Sequence, residues 1–111
     1  MPEPVLDVAT FTELQDNAGT EFVVELAGTF FEEAPRILQE MRRAQLEGDA
    51  EAFRRAAHSL KSNGQTFGAL RLGHRARELE LGSLPADSTP IEALQAEYDA
   101  ACRALQEILG G

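Results

Sequence analysis

Apolar residues recur along this chain at intervals of three and four, and no run alternates apolar with polar, so the pattern predicts helices and no half-buried strand. Breaks fall at "MPEP" at the start, at Asn17–Gly19, at Glu47–Asp49 and across "GSLPADSTP", Gly82 to Pro90. A short first helix is expected around Thr10 to Asp16. Thr20 stands where it can cap a long second helix that carries Phe22, Val23, Leu26, Phe30, Ile37, Leu38 and Met41 on one broad side and ends near Gly48. Pro35 lies inside that helix, removes a backbone donor there and predicts a kink. Asp49 suits the cap of a third helix and a fourth follows Gly68. Thr89, with Pro90 at the first helical position, opens a last helix bearing Ile91, Leu94, Tyr98, Ala101, Leu105 and Ile108 on one side. Short connections between amphipathic helices lead to an all-α fold, an antiparallel four-helix bundle with a short additional N-terminal helix, in a single domain over residues 1–111.

The third helix separates two kinds of position sharply. Wound at about 100° per residue, Phe53, Ala56, Ala57, Leu60, Gly64 and Phe67 share one direction to within about 40°, whereas His58 falls about 140° away. Arg54, Lys61 and Gln65 share the outer ridge with the imidazole. Gly64 lies on the inward stripe, where a missing side chain lets a neighbouring helix come close.

Charge makes this ridge stand out. The chain has 19 acids against 10 bases, a net charge of -9, yet between Phe53 and Ala76 there are five bases, Arg54, Arg55, Lys61, Arg71 and Arg75, and no acid. A one-sign patch on an oppositely charged protein points to a surface that meets something negative. The overall charge argues against a sequence-independent grip on nucleic acid or anionic lipid, so the expected partner is a protein. One cysteine, Cys102, permits no internal disulfide and reads as a packing residue. No stretch is apolar and long enough for a signal peptide or membrane insertion, and a cytoplasmic location is expected.

An exposed imidazole with cations one turn away is poorly suited to metal, because its neighbours are donors rather than ligands, and no metal site is expected. Hydrolytic chemistry would need a nucleophile and an orienting carboxylate, and the segment holds no acid. A phosphoryl group fits better: neutral imidazole is a nucleophile near neutral pH, and Lys61 and Gln65 can neutralise and hydrogen-bond phosphoryl oxygens. No Gly-rich phosphate loop with its lysine is present for ATP.

The run "AHSLKSNGQTFGA" resembles the signature of histidine-containing phosphotransfer domains, with His58, Leu60, Lys61 and Gly68 at matching positions. The resemblance extends through Val5–Asp7, "FVVELAGTFFEEAPRIL", Gly48–Asp49 and Ala69, Leu72, Ala76, Leu79 and Glu80, nearly the whole chain. It implies that His58 takes a phosphoryl group from a receiver-domain phosphoaspartate and passes it to another receiver. Lys61 would sit beside the phosphate and Gln65 would supply a polar contact one turn further on. It also implies a carrier with no kinase activity or cofactor of its own, the Mg²⁺ belonging to the receiver. Ser62 stands where the family commonly has glycine; it is small enough to let a receiver approach. Monomer is the simplest expectation for a chain that must expose its ridge.

Other residues read more plainly. His74 is expected to face solvent. Arg71, Arg75 and Arg77 form either a solvated face supported by Glu78 and Glu80 or an extension of the docking patch, and Glu32 and Glu33 are solubility charge. A competing reading of the ridge is a phosphate-independent docking module that binds an acidic partner, in which His58 is one contact among several.

Overall fold

The computed structural model describes residues 4–110, so the break expected at Met1–Pro4 lies outside the described residues except for Pro4, as does Gly111. Five helices follow one another: α1 (Val8–Ala18), α2 (Thr20–Glu47), α3 (Ala50–Thr66), α4 (Leu70–Leu81) and α5 (Thr89–Gly110). Helices α2 to α5 form a ring in which each packs on its two neighbours, α2 on α3 and α5, α4 on α3 and α5. Helix α1 crosses one end, resting on α2 and α3. The fold is the expected four-helix bundle with an extra N-terminal helix.

The core line of α2 differs from the expected one. Val23, Ala27, Phe30, Ala34, Leu38, Met41 and Ala44 are buried, whereas Phe22 is half exposed. Three alanines carry part of the inward face because small side chains let the neighbouring helices lie close, and a stripe sought only among large apolar residues misses them. In α5, Ile91, Leu94, Tyr98, Ala101 and Leu105 are buried as expected, and Ile108 at the end is exposed. Phe30 sits at the meeting point, with ring centroids 5.4 Å from Phe67 and 5.3 Å from Tyr98, the latter edge-on.

The helix ends mix agreement and correction. Gly48, in the left-handed region at φ 72°, closes α2 by donating its N–H to the Ala44 and Gln45 carbonyls. Asp49 caps α3 as expected, its Oδ1 accepting from the Ala52 N–H at 3.1 Å. Thr20 does not cap α2: Gly19 takes that position, its carbonyl accepting from Val23, and the Thr20 hydroxyl accepts from Gln15 Nε2 instead. Thr89 is already helical, one position inside the expected boundary, because the Ser88 carbonyl receives the Glu92 N–H and the Asp87 carboxylate receives that of Thr89.

α2 runs unbroken through Pro35. Proline has no N–H for the carbonyl four residues back, that of Phe31, and the Tyr98 hydroxyl of α5 donates to this oxygen at 3.3 Å. The missing helical bond thus becomes a tie between α2 and α5. Burial pushes the Tyr98 phenol well above its ordinary value, so the donor stays protonated. Tyr98→Phe is expected to lower stability by about 1 kcal/mol in urea unfolding. In a Pro35→Ala background, where the backbone again serves the Phe31 carbonyl, most of that loss should vanish.

Candidate functional site

The site is built by the α3–α4 hairpin. Three residues make the turn: Phe67 and Gly68 donate back to Gly64 and Gln65, and Ala69 donates to the Gly64 carbonyl at 2.9 Å. The helices then run back along each other at close range. A Cβ added to Gly64 would stand 3.3 Å from the Leu72 side chain, and one on Gly73 3.4 Å from Gln65 Cγ. Gly64 is therefore a packing residue, as its place on the inward stripe predicts.

Because Ala69 lies midway between His58 and Glu80 in the chain, the hairpin sets these two side by side. The Glu80 carboxylate meets His58 Nδ1 through Oε2 at 2.5 Å and Lys61 Nζ through Oε1 at 2.7 Å. The imidazole side chain is 58% exposed, whereas those of Glu80 and Lys61 are 15% and 18% exposed. A shielded ion pair thus holds an outward ring. The hydrogen bond from Lys61, followed by that from His58, keeps the Glu80 carboxyl below its ordinary value. A carboxyl lowered in this way stabilises the fold above its unfolded value, and that support disappears as pH falls through the folded one. The hold on His58 is accordingly present at neutral pH and withdrawn only in acid.

An ionised Glu80 accepts a hydrogen bond and cannot donate one, so Nδ1 carries the proton of the neutral ring. Nε2 keeps its lone pair and has no hydrogen-bond partner among the described residues. The arrangement offers a nucleophilic nitrogen of fixed identity to solvent.

The other residues singled out by sequence are distributed along the same helix. Arg54, one turn before His58, lines a shallow cleft with Arg55, Ser59, His58 and Glu80, and it makes no ion pair among the described residues. Ser62, one turn after His58, is exposed, and its carbonyl accepts from the Thr66 hydroxyl. Gln65 is also exposed but lies two turns from His58, with its aliphatic portion beside Gly73 and no hydrogen bond to His58, Lys61 or Glu80. Lys61 is not a free cation: its ammonium is already held by Glu80.

Two sequence expectations need correction. The carboxylate absent from the segment Phe53–Ala76 is delivered by Glu80, further along α4, so the imidazole does have an orienting acid; the mirror position across the glycine-containing turn was the signal for it. Arg71 and Arg75 are not supported by Glu78 and Glu80. They converge on Glu97, whose side chain on α5 is 8% exposed, with Arg71 at 2.8 Å, and so fasten α4 to α5. His74 is exposed, and Cys102 is half-buried against the core with its thiol pushed up by burial, as a packing residue should be.

A helical bundle that presents one oriented imidazole on its flank is the architecture of a histidine phosphotransfer module. The Hpt domain family model matches residues 25–104, from the first third of α2 to near the end of α5, and the chain belongs to that family. The crystal structure of histidine-containing phosphotransfer protein B (HptB) from Pseudomonas aeruginosa PAO1 superposes with a TM-score of 0.85 at 26% sequence identity, covering 98% of this chain and 97% of that one. No curated protein sequence matches the chain. The protein is thus a histidine phosphotransfer protein of the phosphorelay class, a phosphocarrier by family rather than a kinase.

Proposed function

We propose that His58 is the residue that carries the phosphoryl group, through Nε2, and that it exchanges this group with the phosphoaspartate of receiver domains. The observation that carries the reading is the 2.5 Å contact between Nδ1 and Glu80, which fixes the tautomer and leaves the outer nitrogen as the nucleophile. The Nε2 lone pair attacks phosphorus, the bond from phosphorus to the aspartyl oxygen breaks, and its electron pair leaves on the receiver's carboxylate. The ring becomes cationic, and Glu80 lies against the nitrogen that bears its proton. Arg54, unpaired in the same cleft, supplies positive charge toward the phosphoryl oxygens or the acidic receiver. Lys61 acts first by holding Glu80. Ser62 keeps the approach open beside the ring, and Gln65, two turns away, serves receiver contact rather than the phosphate. The chain needs no cofactor of its own, because Mg²⁺ belongs to the receiver, and no kinase activity toward ATP. It acts as a monomer in the cytoplasm; among the described residues no helix is long and apolar enough to cross a membrane.

Glu80→Gln tests the reading. The amide has no charge to fix the tautomer, and His58 phosphorylation should slow by about tenfold to a hundredfold, the usual loss on removing a group that orients a reactive imidazole. The slowing should appear with a receiver donor and equally with phosphoramidate, a small donor that requires no docking. Slowing with the receiver alone would assign Glu80 to docking and overturn its role at the ring.

A further inference from the structure

We infer that Glu80 and Lys61 together set the lifetime of the phosphohistidine, Glu80 making it labile and Lys61 moderating that effect. The inference rests on His58 being the acceptor and concerns what happens after the group has arrived. Phosphorus on Nε2 leaves two forms of the ring, with or without the proton on Nδ1. When that proton is present, the P–N bond breaks with its electron pair going to Nε2, and neutral imidazole departs. When it is absent, the leaving group is an imidazolate, a far stronger base, and departure is slow. Whatever keeps the proton on Nδ1 therefore keeps the phosphoryl group transferable.

The geometry supplies such a device. Glu80 Oε2 lies against Nδ1 from α4 and is 15% exposed, so its charge acts on the ring with little intervening water. An adjacent carboxylate favours the cationic, proton-bearing ring and preserves it to higher pH. Lys61 on α3 works in the opposite sense, because its ammonium, 2.7 Å from Oε1, draws off part of the carboxylate's charge. The remaining charged groups facing the cleft are Arg54 and Arg55, with Arg36 and Glu40 of α2 in the adjoining groove that shares Arg55 and Ser59. Arg55 leans on Glu51 at 3.6 Å and Glu40 on Arg43, so among the described residues Glu80 is the one acid in contact with the ring. Through transfer and return the same proton stays on Nδ1 and none has to enter or leave from water. The phosphorylated chain is built to hand its group on rather than store it.

The test is to phosphorylate wild type, Glu80→Gln and Lys61→Met with phosphoramidate, remove the donor, and follow loss of the group by ³¹P NMR across pH about 5 to 9, the range in which imidazoles titrate. In wild type, rapid loss should persist to a pH about one unit higher than in Glu80→Gln, the shift that one carboxylate contact commonly produces. Lys61→Met should move the profile the other way, to higher pH than wild type. A purely structural role would move both variants in the same direction. Superimposable profiles, or a Glu80→Gln profile displaced upward, overturn the inference. If His58 takes no phosphoryl group in any of the three, the proposed function itself fails, a result distinguishable from the other two.

Discussion

His58→Gln is expected to abolish phosphorylation of this chain, to below the detection of a labelled-receiver assay, while leaving its thermal unfolding close to that of wild type. Both halves follow from the same geometry. The imidazole side chain is more than half exposed and fills no part of the core, so its replacement costs little packing. Among the residues lining the cleft it is also the one with a free nucleophilic nitrogen, because the arginines there are cations. Arg54→Ala, by contrast, should retain phosphorylation by phosphoramidate and lose affinity for the receiver about severalfold, as a rim charge does. If His58→Gln and Arg54→Ala behaved alike, the ridge would be a docking surface in which histidine has no special place.

The second large effect concerns stability. Gly68 has φ 78°, in the left-handed region, and a Cβ there would stand 2.9 Å from the Asp7 carbonyl oxygen and 2.9 Å from Thr10 Cβ. This is where α1 is tied down: Asp7 donates its N–H to the Gly68 carbonyl at 2.7 Å, and the Thr10 hydroxyl donates to the Asp7 carboxylate at 2.6 Å. Gly68→Ala therefore meets two penalties, about 1 to 2 kcal/mol for the backbone conformation and about 1 to 3 kcal/mol for the forced separation of α1 from the hairpin turn. A combined loss of about 2 to 5 kcal/mol is expected in urea unfolding. Gly48→Ala separates the two contributions, since Gly48 has φ 72° but nothing within 4 Å of its added Cβ. Its cost should be the backbone share alone, about 1 to 2 kcal/mol. Equal losses at both glycines would show that α1 yields freely and does not anchor on the turn.

How far the sequence carried depended on whether the information was local. The inward stripe of α3 and the outward ridge of Arg54, His58, Lys61 and Gln65 are properties of a single helix, and all six stripe residues, Phe53 to Phe67, are buried. The partner of the imidazole is not local. Glu80 lies on the next helix, and it reaches His58 because the turn at Phe67–Ala69 doubles the chain back with a register that periodicity within one helix does not contain. The same distinction explains Lys61, whose type and spacing indicate a phosphate contact but whose ammonium is already engaged by an acid from α4. It also explains Arg71 and Arg75, which look like a solvated face until α5 brings Glu97 beneath them. Where the sequence misled within one helix, at Phe22 and Thr20, the causes were alanines doing the work of larger core residues and a glycine taking the cap position.

The most direct test of the account is to phosphorylate the uniformly ¹⁵N-labelled protein from a receiver domain and record which imidazole nitrogen becomes coupled to phosphorus. The account predicts a single phosphohistidine at His58, bonded through Nε2, with Nδ1 still protonated. Phosphorus on Nδ1 of His58, on His74 or on a carboxylate would contradict it.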